Sequence, residues 1–497
     1  MNTTIFNTSL VMGICAVANL SAKSLEGSRP NIIFILTDDQ GMGDMSCMGN
    51  KFISTPNIDK FYAESTRFTE MHVSPTSAPS RAALMSGVHS FKNGVTHTIL
   101  EREIMNISHI TFPEQMQKAG YQTAIFGKWH LGDEDAYQPY NRGFNEVFIH
   151  GAGGIGQSFK NSSCADFPPN TIKEGMYFDN AILHNDQIVA TDGFCTDLFF
   201  NAALGWIKKK IDKKVPYFAY IPLNAPHGPF IAPEKYRQKF LEAGWNDNTA
   251  GRYGMIENID DNVGDFMAQL KKWDALENTL IIFMTDNGQG VSKGSRNGKR
   301  VALPRGGFKT GKNTPFEGGT HVPSFWYWKG VLSEGKDINA LVAHIDFYKT
   351  FCELAGAKIA KKTQKLDGRS LLPLLENPNA KWEDRNLYIH VGRWKQGQNP
   401  EENKYKGCAV RTQKWRFVNN TLLYDIENDP YEKVNVYDKY PEVVAKLSKE
   451  YDAWWDEMKP YLINENRRYT GDAPQTIRYN KQLAEKGIAK WEYYTFE

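Results

Sequence analysis

The chain has 497 residues, of which 41% are hydrophobic and 23% charged. That composition buries a large core and excludes a disordered chain. Lys+Arg 59 against Asp+Glu 57 leave a formal charge of +2, so no broad basic field argues for nucleic acid, and an anionic ligand must be held by local cations. No apolar run reaches the roughly 18 residues of a spanning helix, and the length suits a large α/β core with a smaller appended domain.

In chain order, Leu10 to Val17 form a short apolar stretch, and Ala16-Val17-Ala18 is a small-x-small cleavage pattern. This predicts a signal peptide over 1–22, cut near 18–22, and an exported protein, periplasmic or extracellular. Residues 1–18 nonetheless lack the Lys or Arg of an ordinary n-region. With Cys15 removed, Cys47, Cys164, Cys195, Cys352 and Cys408 remain, an odd set with at least one free thiol. Cys164 and Cys195 both lie in loop-like sequence and are candidates to pair in an oxidising compartment.

Asn31 to Leu36 is a continuous apolar run typical of a strand covered on both faces, and it is followed by Thr37-Asp38-Asp39. Ser77-Ala78-Pro79-Ser80-Arg81 precedes helix formers Ala82 to Met85, with Ser80 as the expected cap and Ser77 just before the helix. Alone, this segment reads equally as an ordinary capped helix with a surface serine. A helix is predicted over Pro113 to Ala119, with Thr111 near its start and Gly120 after it. The strand Thr123 to Phe126 leads into Gly127-Lys128-Trp129-His130. Glycines 151, 153, 154 and 156 predict an irregular loop up to Cys164. The strand Tyr217 to Ile221 leads to Asn224 and His227, and Leu280 to Met284 leads to Thr285-Asp286-Asn287-Gly288. Between these two, Ile256, Ile259, Val263, Phe266 and Leu270 mark one face of a helix over about residues 252–270.

Strands alternating with helices predict an α/β fold: a large, mostly parallel sheet between helices, over residues 23–375. Such sheets bind ligands beyond the carboxyl ends of their strands, where these polar residues converge. Short strands near residues 386–390, 408–412, 415–418 and 421–425, then a helix over 441–458, predict a C-terminal α+β domain at 376–470 on an antiparallel sheet. Residues 471–497 read as a tail without a signal.

Asp38, Asp39, Asp286 and Asn287 are oxygen donors that favour a hard cation, calcium first and magnesium second. Either acidic segment alone is a common turn, so the two together carry the reading.

Ser77-Ala78-Pro79-Ser80-Arg81 resembles the (Cys or Ser)-x-Pro-x-Arg signature of the formylglycine-dependent sulfatases in the alkaline phosphatase-like superfamily. Asn31 to Gly41, Gly127 to Gly132, Thr285 to Gly288 and Gly311 to Gly319 resemble further elements of that family in the same order, as do Leu366 to Pro373 and Leu423 to Asp425. The resemblance implies that a radical-type maturation enzyme oxidises Ser77 to formylglycine (3-oxoalanine), whose hydrate is the nucleophile, and that Ser77 also faces the metal. It implies sulfate-holding roles for Lys128 and Lys312, diol orientation by Arg81, a base in His130 and an acid in His227, with Gln289 and Glu317 supporting. His321 departs from the pattern, since relatives commonly carry Arg there. The expected activity is a sulfuric ester hydrolase acting on a sulfated saccharide, with Arg393-Trp394-Lys395 as a candidate subsite. The alternatives are a phosphonate or phosphodiester hydrolase of the same superfamily, and a catalytically silent sulfoglycan-binding protein.

Overall fold

The computed structural model describes residues 24–151, 153, 177–467 and 474–496. The expected signal peptide, Cys15, Cys164 and most of the glycine-rich loop lie outside the described residues.

Five strands form the centre of the large sheet: β1 (Asn31–Thr37), β2 (Gln122–Lys128), β3 (Glu146–His150), β4 (Tyr217–Pro222) and β5 (Thr279–Thr285). Their spatial order is β5-β1-β4-β2-β3, and all the pairings are parallel. Antiparallel strands Ser324–Tyr327 and Ala181–His184 extend the two flanks, within an eleven-stranded sheet among the described residues. The sheet is covered on both faces, and the middles of its central strands are apolar on both sides, as in Ile32–Leu36 and Leu280–Met284. Ile32, Phe34 and Leu36 of β1 pack on α1 (Ser77–Ser86), α2 (Phe112–Lys118) and a helix over Phe347–Ala355. Ile33 and Ile35 face the opposite layer, built from α3 (Cys195–Asp212) and α4 (Asp247–Lys272). Each fully buried Ile or Phe contributes about 1.5–3 kcal/mol, so a charge at Ile33 or Phe34 would break the sandwich.

The helices follow the local signals with one correction. In α4 the five apolar residues of the predicted face are all buried, and Asn246 Oδ1 caps the start by accepting from the Thr249 amide at 3.3 Å. Thr111 and Glu114 form a capping box at α2. In α1, however, Ser77 is the first helical residue and extended Thr76 is the N-cap. Ser80 is no cap: its hydroxyl donates to the Ser74 carbonyl at 2.9 Å. All ten residues of α1 are buried, and it ends on left-handed Gly87, where a Cβ would meet the Tyr348 Cβ at 2.8 Å.

The smaller sheet has the order β6 (Leu387–His390), β7 (Cys408–Arg411), β8 (Trp415–Val418) and β9 (Leu422–Asp425), antiparallel throughout. One face packs on Trp454 and Trp455 of the helix over Pro441–Met458, while Ile389, Ala409 and Val418 pack with Phe316 of the large body. Residues 474–496 correct the reading of a featureless tail. Pro474–Lys486 is helical, Ala489–Lys490 joins the edge of the large sheet parallel to Val189–Ala190, and Trp491 packs on Phe148 with ring centroids 5.0 Å apart. Cys195 is a buried free thiol whose Sγ lies 3.6 Å from Asn224 Oδ1. Among the described residues no helix is long and apolar enough to cross a membrane.

Candidate active site

The carboxyl ends of β1 and β5 bring the acidic residues together, because register pairs Thr37 with Thr285 and the Asp286 amide donates to the Thr37 carbonyl at 3.0 Å. Asp39 follows in the left-handed region, φ 63°, a conformation that non-glycine residues hold only where the surroundings enforce it. Oxygens of Asp38, Asp39 and Asp286 lie within 4.8 Å of one another. The Asn287 amide donates to Asp39 Oδ1 at 2.8 Å, which turns its own Oδ1 toward α1. There the Ser77 hydroxyl sits 3.0 Å from Asp38 Oδ1 and 3.1 Å from Asn287 Oδ1, with one proton for two acceptors. Gly290 leaves the space that this needs, since a Cβ there would lie 2.5 Å from Asp39 Oδ2.

Three cations surround the trio. Arg81 donates from Nε at 3.2 Å and Nη2 at 2.9 Å to Asp286 Oδ2, and from Nη1 to the Lys128 carbonyl at 3.2 Å. Lys128 Nζ lies 2.5 Å from Asp38 Oδ2, and Lys312 Nζ 2.7 Å from Asp39 Oδ1. Burial is the largest influence on Asp38 and Asp39 and would raise their pKa values. It is overcome jointly by Lys128, His227 and Arg81 at Asp38 and by Lys312, His227 and Asn287 at Asp39, so both carboxyls lie below their ordinary value. Asp286 goes the other way: burial and then the charge of Asp38 push it up despite Arg81. A buried site made of carboxylate, amide and hydroxyl oxygens, one of them forced toward protonation, has the chemistry of a hard divalent-cation site.

The two histidines differ in their free atoms. His130, also left-handed at φ 63°, donates from Nε2 to the Thr98 carbonyl at 2.7 Å, while its buried Nδ1 has no partner. Burial, then the charge of Lys128, holds its pKa well below the ordinary imidazole value, so it is a neutral ring with an available lone pair. His227 donates from Nδ1 to the Gly228 carbonyl at 2.7 Å and presents Nε2 to Asp39 Oδ2 at 3.6 Å.

The structure therefore brings Asp38, Asp39, Ser77, Arg81, Lys128, Asp286, Asn287, Lys312 and His227 into one contact network, with His130 fixed through Thr98. Gln289 supports from behind, its Nε2 donating at 3.2 Å to Asp44, the partner of Arg252. Of the 393–395 triplet, Trp394 is buried in the core of the smaller sheet, Lys395 is exposed, and only Arg393 reaches back, its Nη1 lying 2.5 Å from Asn313 Oδ1. Asn224 turns away, toward Cys195.

Glu317 stands in a different cluster. Its Oε1 accepts from Arg411 Nε and Arg416 Nε, both at 2.8 Å, and its Oε2 from His321 Nδ1 at 2.8 Å. Arg411 also reaches Glu70 at 2.6 Å, and His321 Nε2 meets the Thr69 carbonyl at 2.5 Å. Both ring nitrogens of His321 thus face acceptors, an arrangement that favours the imidazolium. Burial would lower its pKa, but Glu70 and Glu317 outweigh it and raise it.

One residue at the site escaped the sequence reading. His150 ends β3 opposite Lys128, donates from Nδ1 to the Gly151 carbonyl at 2.9 Å, and leaves a buried Nε2 without a partner. Burial holds its pKa at about 3. The pattern that exposed the others, an apolar strand closed by a polar residue, is present in Val147-Phe148-Ile149-His150.

A family model described as Sulfatase matches residues 30–357, and one described as N-sulphoglucosamine sulphohydrolase, C-terminal, matches residues 310–456. The chain is 31% identical over 361 residues to N-acetylgalactosamine-6-sulfatase of Rattus norvegicus, covering 70% of this chain and 66% of that protein. It is 27% identical to uncharacterized sulfatase YdeN of Escherichia coli (strain K12), over 88% of each. The crystal structure of Ps i-CgsB in complex with k-i-k-neocarrahexaose is similar at TM-score 0.74 and 29% identity, covering 92% of this chain and 98% of that one.

Proposed function

The chain belongs to the sulfatase family, whose members are sulfuric ester hydrolases, and from that premise we propose an exported enzyme that removes sulfate from saccharide O-sulfate esters. In this reading Ser77 is converted to formylglycine, and Asp38, Asp39, Asp286 and Asn287 hold calcium, with magnesium as second choice. The observation that carries it is the Ser77 hydroxyl wedged between Asp38 and Asn287 at the start of a buried helix, with Arg81, Lys128 and Lys312 around it.

Conversion gives residue 77 an aldehyde whose hydrate carries two hydroxyls, where serine alone is a weak nucleophile. Calcium accepts about six to eight oxygens and supplies Lewis-acid polarisation and charge neutralisation. Lys128 and Lys312 are the cations that would take the sulfate oxygens. One diol hydroxyl, its proton passing to the Asp38 carboxylate that residue 77 already faces, bonds to sulfur while the sulfur–ester bond breaks, and His227 gives the departing oxygen a proton. His130 Nδ1 then takes the proton of the second hydroxyl. The aldehyde re-forms as its carbon–oxygen bond to sulfate breaks, and no water attacks sulfur. Arg81 keeps residue 77 and Asp286 in register.

Carbohydrate as substrate is supported by the names of the relatives, one a sulfatase of N-acetylgalactosamine and one crystallised with a neocarrahexaose. The test is release of sulfate from a panel of sulfated mono- and disaccharides beside an aryl phosphodiester. Faster turnover of the phosphodiester would favour the phosphoesterase reading. Peptide mass spectrometry on protein from its native host checks residue 77, and an unchanged serine there would favour a silent binding protein. N-terminal sequencing of the same sample checks removal of residues 1–22.

A further inference from the structure

We infer that Arg393 receives a second anionic group of the substrate, a sulfate or a carboxylate other than the ester being cleaved, so that the enzyme selects saccharides carrying two negative charges close together. The inference rests on the sulfatase reading above and adds its substrate class.

Arg81, Lys128 and Lys312 each pair with a carboxylate of the centre. Arg393 does not: among the described residues no carboxylate lies within ion-pair distance of it, and its Nη1 contacts the neutral Asn313 Oδ1 at 2.5 Å. Asn313 directly follows Lys312, and its amide donates to the Pro75 carbonyl, two residues before Ser77. The guanidinium thus stands at the rim of the centre, half-buried, within electrostatic reach of Asp39 but with no carboxylate in ion-pair contact among the described residues.

Its position is built and held. Arg393 has φ 59° and Asn313 φ 64°, both left-handed without being glycine, a strain that persists only where surroundings enforce it. The Arg393 amide donates to the Thr96 carbonyl at 3.0 Å, and a Cβ on the preceding Gly392 would lie 2.1 Å from that oxygen. Next door, the Trp394 carbonyl accepts from Arg102 Nη1 at 2.7 Å, and its indole donates to Glu465 at 2.6 Å. Neutral His97 lies within electrostatic reach of Arg393 and brings no opposite charge. A partly desolvated cation without a partner is costly, and a guanidinium offers a planar fork of donors that matches sulfate or carboxylate in two bonds. Asn313, which Arg393 contacts, directly follows Lys312, and Asp39, the partner of Lys312, lies within electrostatic reach of Arg393, so a saccharide whose sulfate Lys312 holds would extend near this fork.

The test compares kcat/KM for a monosulfated saccharide, its analogue with a second sulfate, and its analogue with a uronic carboxylate, in wild type, Arg393→Ala and Arg393→Lys. Wild type should prefer the doubly charged compounds, and which of the two it prefers identifies the anion. Arg393→Ala should reduce that preference by about 10- to 100-fold, with Arg393→Lys between. Equal loss on all three compounds, or no change in the ratio, would overturn the proposal. Calorimetric affinities of the same saccharides for Ser77→Ala and Ser77→Ala/Arg393→Ala read the preference without turnover. Failure of the sulfatase reading, no sulfate released from any compound, is thereby distinguished from failure of the Arg393 assignment, a binding ratio indifferent to residue 393.

Discussion

Two buried clusters of carboxylates, histidines and cations lie close along the chain yet are finished differently. Around Asp38, Asp39 and Asp286 the cations include two lysines, each a single mobile charge, and His130 keeps an unused nitrogen. Around Glu317 the cations are the planar forks of Arg411 and Arg416, which also bond Glu70, Thr320 and backbone carbonyls, and His321 spends both of its nitrogens. Lysine exchanges partners readily, whereas arginine in a fixed fork does not. The first cluster is therefore poised for an incoming anion, and the second joins the smaller sheet to the large one. Composition alone does not separate a reactive centre from a structural joint, nor does a spare nitrogen, since His72 beside Glu317 also keeps a buried Nε2 without a hydrogen-bond partner; the kind of cation and how firmly it is tied does.

Substitutions that strike one cluster and spare the other test this division. Ser77→Ala should lower sulfate release by at least about 10⁴-fold while the thermal midpoint stays near wild type; retained turnover would break the assignment. Asp286→Ala should abolish both activity and bound metal, and unchanged calcium by elemental analysis would remove the cation from this site. His130→Ala should slow turnover by about 10²- to 10⁴-fold and let covalently sulfated enzyme accumulate, read by intact mass. In the second cluster, Glu317→Ala leaves two buried guanidinium groups without their shared partner. The expected cost is about 3–5 kcal/mol of stability, measured by denaturant melts, with turnover per folded molecule much less affected.

The smallest effect concerns pH. Because His321 is held above its ordinary value when folded, its contribution to stability is complete below that ordinary value and is lost as pH rises through the raised one. His321→Gln should flatten this alkaline decline, and an unaltered pH–stability profile would show that the imidazolium carries no part of it.

The strands were legible because β1, β2, β4 and β5 are apolar at nearly every position, and only a sheet covered on both faces accommodates that. The polar residues that close them were legible for the same reason, since a carboxylate straight after such a strand has few places to go. His150 was passed over although it closes a strand in the same manner. Arg411 and Arg416 sit in short strands where alternation suggests an exposed face, and only the packing of two sheets shows that this face is covered. The partner of Arg393, Asn313, lies 80 residues away in sequence, and no local pattern pairs them. The closing helix and strand after residue 474 are polar and become ordered by an edge formed near residue 189, which explains their silence in a linear reading.

Burial of the whole of α1 sets a timetable. An enzyme that rewrites the side chain of residue 77 must wrap the peptide on either side of it, and those flanking residues are inside the packed protein. In the proposed reading, conversion of Ser77 would therefore belong to the newly made, still unfolded polypeptide. Once the sandwich closes, a molecule that missed that interval keeps its serine until it unfolds again.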